Sequence, residues 1–300
     1  MEKNNLHAWL LLLILSVIWG SSFILIKKGL VALSPGEVAG MRVLMAAVFV
    51  SPIALNKLKG LSFRQIAIIF STGVLGTFIP SFLFAFAETR LGSGITGIFN
   101  ALTPAWIIIV GSIFFNYKIR SNEFFGFTLA FAGCVVLVFA GSGGQLSNIN
   151  SYAIFVLLAT LCYGFNVNII KHKLVSIPSI TISTVSLILL FPFALIYLLS
   201  FTEIVEKVYN IQHNNLPLLS VVVLGFFGTG LALILFNQLI KLASPVFAGS
   251  VTYFIPIVAL LWGALDHEKI LFSHIIGTIT IITGVFILNI KRAKITSKLN

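Results

Sequence analysis

Apolar runs of helix length, separated by short charged or turn-forming segments, recur along the whole chain. Ten runs can be drawn. The first five are Ala8–Ile26, Val38–Leu55, Gln65–Ala87, Ile95–Phe115 and Phe124–Ala140. The second five are Tyr152–Ile170, Ile180–Ser200, Leu216–Ile240, Val246–Leu265 and Leu271–Ile290. About 20 mostly apolar residues suffice to cross a bilayer as a helix. The hydrocarbon core offers no water to backbone N–H and C=O groups, so runs of this kind form helices. The shorter alternating segments of a membrane barrel are absent. The first run has a weakly basic start at Lys3 and small residues at Gly20-Ser21-Ser22. It continues past them to Ile26, which favours a spanning helix over a cleaved signal peptide.

Composition agrees with the pattern. The 300 residues are 58% hydrophobic and 9% charged, against about 25% charged in a soluble domain. A formal net charge of +11 raises the possibility of nucleic acid as a partner. That reading is set aside, because the basic residues stand between apolar runs rather than on a polar face. Their distribution instead orients the chain. With the N-terminus in the cytoplasm, the inner side receives thirteen of the nineteen Lys and Arg residues, among them Lys57, Arg120, Lys171, Lys173 and the basic tail 291–300. The outer side receives Lys27, Lys28, Arg90, Lys207 and Lys269, and Arg42 lies within a helix. Cys134 and Cys162 fall inside apolar runs and read as small buried hydrophobes.

The two sets of five runs echo each other. Arg90, Ser93 and Pro104 in the stretch Thr89–Phe115 correspond to Lys241, Ser244 and Pro256, with one residue inserted. Gly126 and Gly133 correspond to Gly277 and Gly284, Trp19-Gly20 to Tyr163-Gly164, Lys27 to Lys171, Pro35 to Pro178, and Gly76-Thr77 to Gly228-Thr229. A repeat of this length implies two copies of one structural unit. Five helices per copy is an odd number, so the second copy must be inverted. The expected architecture is an all-α integral membrane protein of ten transmembrane helices. Residues 8–140 and 152–290 form two inverted five-helix repeats, followed by a basic cytoplasmic tail, 291–300. Inverted repeats around a midplane site are a common plan of secondary transporters.

Several residues are candidates for chemistry. Gly92-Ser93-Gly94-Ile95-Thr96-Gly97 matches G-x-G-x-x-G, but a dinucleotide site needs a preceding strand. The segment reads as a tight turn with close packing, or as helix-start amides facing an anionic group. Pro104 and Pro256 favour kinks. With Asn100, Thr103 and Tyr253 nearby they suggest a bent cavity lining, the alternative being packing kinks. Asn166 and Asn237 are polar at membrane depth, where such groups face the bundle interior or tie helices together. Trp19, Ser22, Phe82, Phe86 and Tyr163 complete the expected substrate path. Arg42 lies inside the second helix and needs a partner. Glu37 is poorly placed, which leaves Glu88, ending the third, as the other member of an outer charge pair or gate. The carboxylates Glu37, Glu88, Asp266 and Glu268 sit at helix ends, so no mid-helix proton or sodium relay is evident. The five His residues lie at run ends or in loops, and neither H-E-x-x-H nor G-x-S-x-G occurs. An intramembrane enzyme is disfavoured, and no metal or cofactor is expected. The partners expected are a small-molecule substrate and the lipid bilayer; oligomeric state is not encoded legibly.

Trp19-Gly20-Ser21-Ser22-Phe23, Arg42, Pro104, Pro256, the paired glycines and Glu268 in Leu265-Asp266-His267-Glu268-Lys269 together resemble the EamA-type branch of the drug/metabolite transporters. The likeness covers nearly the whole chain and rests on order and spacing. It implies a ten-helix inner-membrane carrier that exports small metabolites such as amino acids. One departure stands out. The family's Glu after the fourth helix is matched by Glu268 in the second copy, whereas the first copy has Tyr117.

Overall fold

The computed structural model of the chain describes residues 2–118, 121–141, 150–210, 215–242 and 251–289. These residues form helices and short connections, with no strand among them. The helices are α1 (Glu2–Gly29), α2 (Pro35–Leu58), α3 (Phe63–Gly73), α4 (Ile79–Ala87), α5 (Ser93–Asn100), α6 (Thr103–Phe115) and α7 (Ser121–Gly141). The second half contains α8 (Ala153–Lys173), α9 (Ser179–Phe201), α10 (Ile204–Asn210), α11 (Leu216–Val223), α12 (Ala232–Leu242), α13 (Val251–Leu265) and α14 (Phe272–Asn289). Seven spans among the described residues are long and apolar enough to cross a membrane. Three shorter apolar helices are Phe124–Gly133, Phe254–Leu265 and Phe272–Gly284.

Local chemistry sets several boundaries. Ser34 caps α2: its hydroxyl accepts from the Glu37 N–H at 3.3 Å, while its own N–H donates to Glu37 Oε2 at 2.7 Å. Pro35 follows at the first position, where its missing N–H costs nothing. The same reciprocal cap joins Ser62 and Gln65 at α3. Two expected single helices are modified by π-helical turns, Val74–Phe78 between α3 and α4 and Leu224–Leu231 between α11 and α12. They fall on the matched Gly76-Thr77 and Gly228-Thr229. The fourth run is interrupted rather than merely kinked. It leaves helix at Ala101–Leu102, and Pro104 opens α6. The N–H that Pro104 lacks would have bonded the Asn100 carbonyl; the Thr103 hydroxyl donates to that carbonyl instead, at 2.8 Å. Pro256, its counterpart, stays inside α13. The connection after α9 also contains an unanticipated short helix, α10, whose Lys207 reaches back to Glu37 at 2.8 Å.

The packing pairs elements across the two halves. α1 lies on α13 as α8 lies on α6; α2 packs on α9, α7 on α14, α4 on α8, and α1 on α11 and α12. Small residues permit these approaches. A Cβ at Gly133 would stand 2.9 Å from the Gly277 carbonyl oxygen, and one at Gly284 would stand 2.6 Å from that of Gly126. Close backbone approach through such residues is how helices associate in lipid. The surface toward lipid is strongly apolar, with Leu10, Leu13, Phe114, Ile196, Leu261 and Ile279 exposed, while Thr77, Ser81, Thr160, Thr184 and Thr229 are buried.

Candidate functional site

A cavity of about 210 Å³ lies between the halves, lined by residues of α1, α2, α4, α5, α6, α8, α12 and α13 and by both π-helical turns. Its shape follows from the local irregularities. The π turns bring Gly76-Thr77 and Gly228-Thr229 to the wall, and the break before α6 brings Asn100, Thr103 and Pro104 there. A wide i→i+5 turn leaves carbonyls accessible, and Trp19 Nε1 donates to the Gly228 carbonyl at 3.1 Å. Ser21 accepts from Trp262 Nε1 at 2.8 Å, so Trp19 and Ser21 fasten α1 to its neighbours, while Ser22 donates to the Ile18 carbonyl of its own helix at 3.0 Å.

Of the expected path residues, Trp19, Ser22, Asn100, Thr103, Pro104, Tyr163 and Asn166 line the cavity. Phe82, Phe86 and Pro256 do not. Phe82 packs edge-to-face on Tyr197 at 5.0 Å, and Phe86 is exposed near Phe155. The helical period explains this placement. Ser81 and Phe84 share the α4 face that meets the cavity, and Phe82 and Phe86 lie on another face. Phe84 is the aromatic the sequence reading missed, and it joins Phe23 at 5.6 Å and Tyr163 at 6.1 Å in the wall. The side chains of Asn237 and Tyr253 lie outside the described residues.

Arg42 is the one charged residue among the described residues lining the cavity. Its Nε donates to Thr229 Oγ1 at 2.8 Å. Two acceptors in the wall, Asn100 Oδ1 and Asn166 Oδ1, are buried without a hydrogen-bond partner among the described residues. The expected Arg42–Glu88 ion pair is absent from this conformation. The ion pairs among the described residues lie elsewhere, because Arg42 is turned into the cavity while Glu88 is buried beside the α1 end.

At that end sits an ionic cluster. Ile26 is the last α1 residue in the cavity wall. Lys27 Nζ lies 2.7 Å from both Asp266 Oδ2 and Glu268 Oε1, and Lys28 pairs with Asp266 Oδ1. Glu268 also receives the Ser93 N–H and hydroxyl, each at 2.8 Å, and the Gly94 N–H at 3.1 Å. The helix-start amides of the glycine segment are therefore taken by the protein's own carboxylate, which sits in the positive field of the α5 N-terminus. The glycines make room for it: a Cβ at Gly92 or at Gly263 would stand 2.7 Å from Glu268 Oε2. Hydrogen bonds from Lys27 and Lys28 hold Asp266 below the ordinary carboxylate range. Burial acts to raise Glu268, but Lys27, Ser93 and Gly94 outweigh it and hold it low. Among the described residues, no group of three or more His, Cys, Asp or Glu side chains is arranged to hold a metal ion.

Comparison with known proteins bears on this geometry. The model of the EamA-like transporter family matches twice, at residues 7–139 and 150–290. An uncharacterized transporter of Archaeoglobus fulgidus is 24% identical, over 95% of this chain and 99% of its own. An uncharacterized inner membrane transporter of Escherichia coli is 25% identical, over 83% of this chain and 79% of its own. A probable amino-acid metabolite efflux pump of Escherichia coli is 25% identical, over 92% of this chain and 93% of its own. One solved crystal structure, 14% identical, aligns with a TM-score of 0.64 over 96% of this chain and 98% of its own, a likeness of fold alone. Matched in both halves, this membrane protein belongs to the EamA-like transporter family.

Proposed function

We propose that the protein exports small zwitterionic metabolites, amino acids among them, across the cytoplasmic membrane by alternating access. The observation that carries this reading is the polarity of the cavity. Among the described residues it holds one cation, Arg42, and two unpartnered amide oxygens, Asn100 Oδ1 and Asn166 Oδ1. A substrate carboxylate would pair with the guanidinium, whose planar fork suits it. A substrate ammonium would donate to the amide oxygens, whose burial without a partner is otherwise costly. Trp19, Phe84 and Tyr163 would take an apolar side chain. The Escherichia coli relative named a probable amino-acid metabolite efflux pump is consistent with this substrate class.

The mechanism rests on reading the architecture as ten spanning helices in two inverted repeats, 8–140 and 152–290, with the tail 291–300 cytoplasmic. Equivalent contacts recur with the halves exchanged. Gly20 of α1 lies against Val258 of α13, and Gly164 of α8 lies against Trp106 of α6. A Cβ at Gly228 would stand 2.8 Å from Ser22 Oγ, and one at Gly76 would stand 2.5 Å from Asn166 Nδ2. Two nearly equivalent halves around one cavity have two nearly equivalent ways to close it, one at each membrane face.

Export should be read in proteoliposomes loaded with a mixture of labelled amino acids. The expected result is saturable efflux that accelerates when unlabelled amino acid is present on the opposite side. Such counterflow is the mark of a carrier. Non-saturable leakage without counterflow would favour the alternative of a passive channel, and no flux at all would favour a scaffold. Orientation is tested separately with single cysteines in intact cells. An impermeant reagent should label position 213 and spare positions 57, 120 and 173; the reverse pattern would overturn the assignment.

A further inference from the structure

Glu88 is the first residue beyond the Phe63–Ala87 span and ends α4, its N–H donating to the Phe84 carbonyl at 3.0 Å. It is 6% exposed, and among the described residues neither carboxyl oxygen has a partner in hydrogen-bonding geometry. An ionised carboxylate in such a place is very costly, and the group takes a proton instead. Three charged groups face it: Glu268 from the turn after α13, Arg42 from α2 and Lys27 from α1. Both cations are engaged elsewhere, Lys27 with Asp266 and Glu268 and Arg42 with Thr229. Burial, and then the negative charge of Glu268, raise Glu88 well above the ordinary carboxyl range; Arg42 and Lys27 oppose this without cancelling it.

We propose that Glu88 is a proton-binding site, filled from solvent each time the end of the bundle carrying Lys27 and Glu268 closes. The inference rests on the alternating-access reading and adds to it the cation that the closing step takes up. When this end is open, Glu88 is hydrated and ionised. Closure withdraws it from water, and one solvent proton adds to a carboxylate oxygen. Reopening returns the proton. The sign of the pH dependence follows. A group raised in the closed state favours closure below its ordinary pKa, and that contribution is lost as pH rises through the raised value. Asp266 and Glu268, both held low, act in the opposite sense and release the closed state as pH falls through their lowered values. Only the alkaline limit belongs to Glu88.

Two measurements on the full-length purified chain test this. Infrared difference spectra across a pH titration should show a protonated carboxyl band near neutral pH that Glu88→Gln removes and Glu88→Asp retains. Distances between spin labels at Val31→Cys and Lys269→Cys, with Cys134→Ser and Cys162→Ser, should lengthen on alkalinisation in otherwise unaltered protein. In the Glu88→Gln background they should stay short, and in Glu88→Asp the response should persist. The proposal is overturned if no carboxyl band depends on Glu88. It is also overturned if Glu88→Gln opens with alkali as the unaltered chain does. Distances that never change at any pH would instead count against alternating access, and the infrared band would then decide the proton site alone.

Discussion

Arg42→Ala is expected to abolish export of amino acids while leaving the protein folded. Arg42 is the one cation in the described cavity wall, and it has no carboxylate partner among the described residues. Truncating one member of a desolvated charge pair costs about 2–5 kcal/mol, or roughly thirty-fold to several-thousand-fold in an equilibrium. That loss would fall on substrate binding. Folding should be spared, because removing an isolated buried charge also removes its desolvation cost. Arg42→Lys keeps the charge and loses the bidentate fork, and should recover only part of the transport. The check is proteoliposome counterflow together with thermal melting in detergent. Normal export by Arg42→Ala would remove the carboxylate-binding role, and with it the proposed division of the cavity into cationic and amide sides.

Glu268→Ala should be the most damaging single substitution at the Lys27 end. It strips a charged acceptor from the Ser93 N–H, the Ser93 hydroxyl, the Gly94 N–H and Lys27 Nζ at once. Breaking a buried pair by removing one partner costs about 3–5 kcal/mol. The lower end applies here, because Lys27 is one-third exposed and keeps Asp266. The expected readouts are a lower melting temperature and faster labelling of Ile26→Cys by an impermeant reagent. Acid should imitate the substitution. Asp266 and Glu268 are held low, so their contribution is complete above the ordinary carboxylate pKa and is lost as pH falls through the lowered values. A Glu268→Ala protein that melts and labels like the unaltered chain would reduce the cluster to a solvated surface feature.

The two halves differ at the position of Glu268. The position equivalent to Glu268 in the first copy is Tyr117, whose backbone N–H bonds the Gly111 carbonyl at 3.0 Å across the left-handed turn at Asn116. On the same side, His172 stacks on Phe115 at 4.7 Å, and Asn168 Nδ2 donates to the Ile107 carbonyl at 2.8 Å. The first copy thus has no carboxylate at the position that Glu268 occupies in the second.

Membrane class, the limits of most helices and the duplication were legible in the sequence, because each depends on local chemistry. Hydropathy over helix-length windows is dictated by what a bilayer can solvate. Caps such as Ser34-Pro35-Gly36-Glu37 act over a single turn, and a repeat can be seen without any knowledge of contacts. The residues of the site were only partly legible. Trp19, Ser22, Asn100, Thr103, Pro104, Tyr163 and Asn166 stood out as polar, aromatic or helix-breaking groups in apolar runs. Phe84 could not be separated from Phe82 and Phe86, because periodicity shows which residues share a face and not which face meets a cavity. The π turns left no local signal beyond the Gly-Thr pairs. The partners of charged groups were decided by the tertiary structure alone. Glu268 lies 175 positions from Ser93 and 241 from Lys27, and many cations at helix ends were equally eligible. Only the packing of α1, α5 and α13 placed that carboxylate on the α5 N-terminus, turned Arg42 inward toward Thr229, and buried Glu88 away from any ion-pair partner among the described residues.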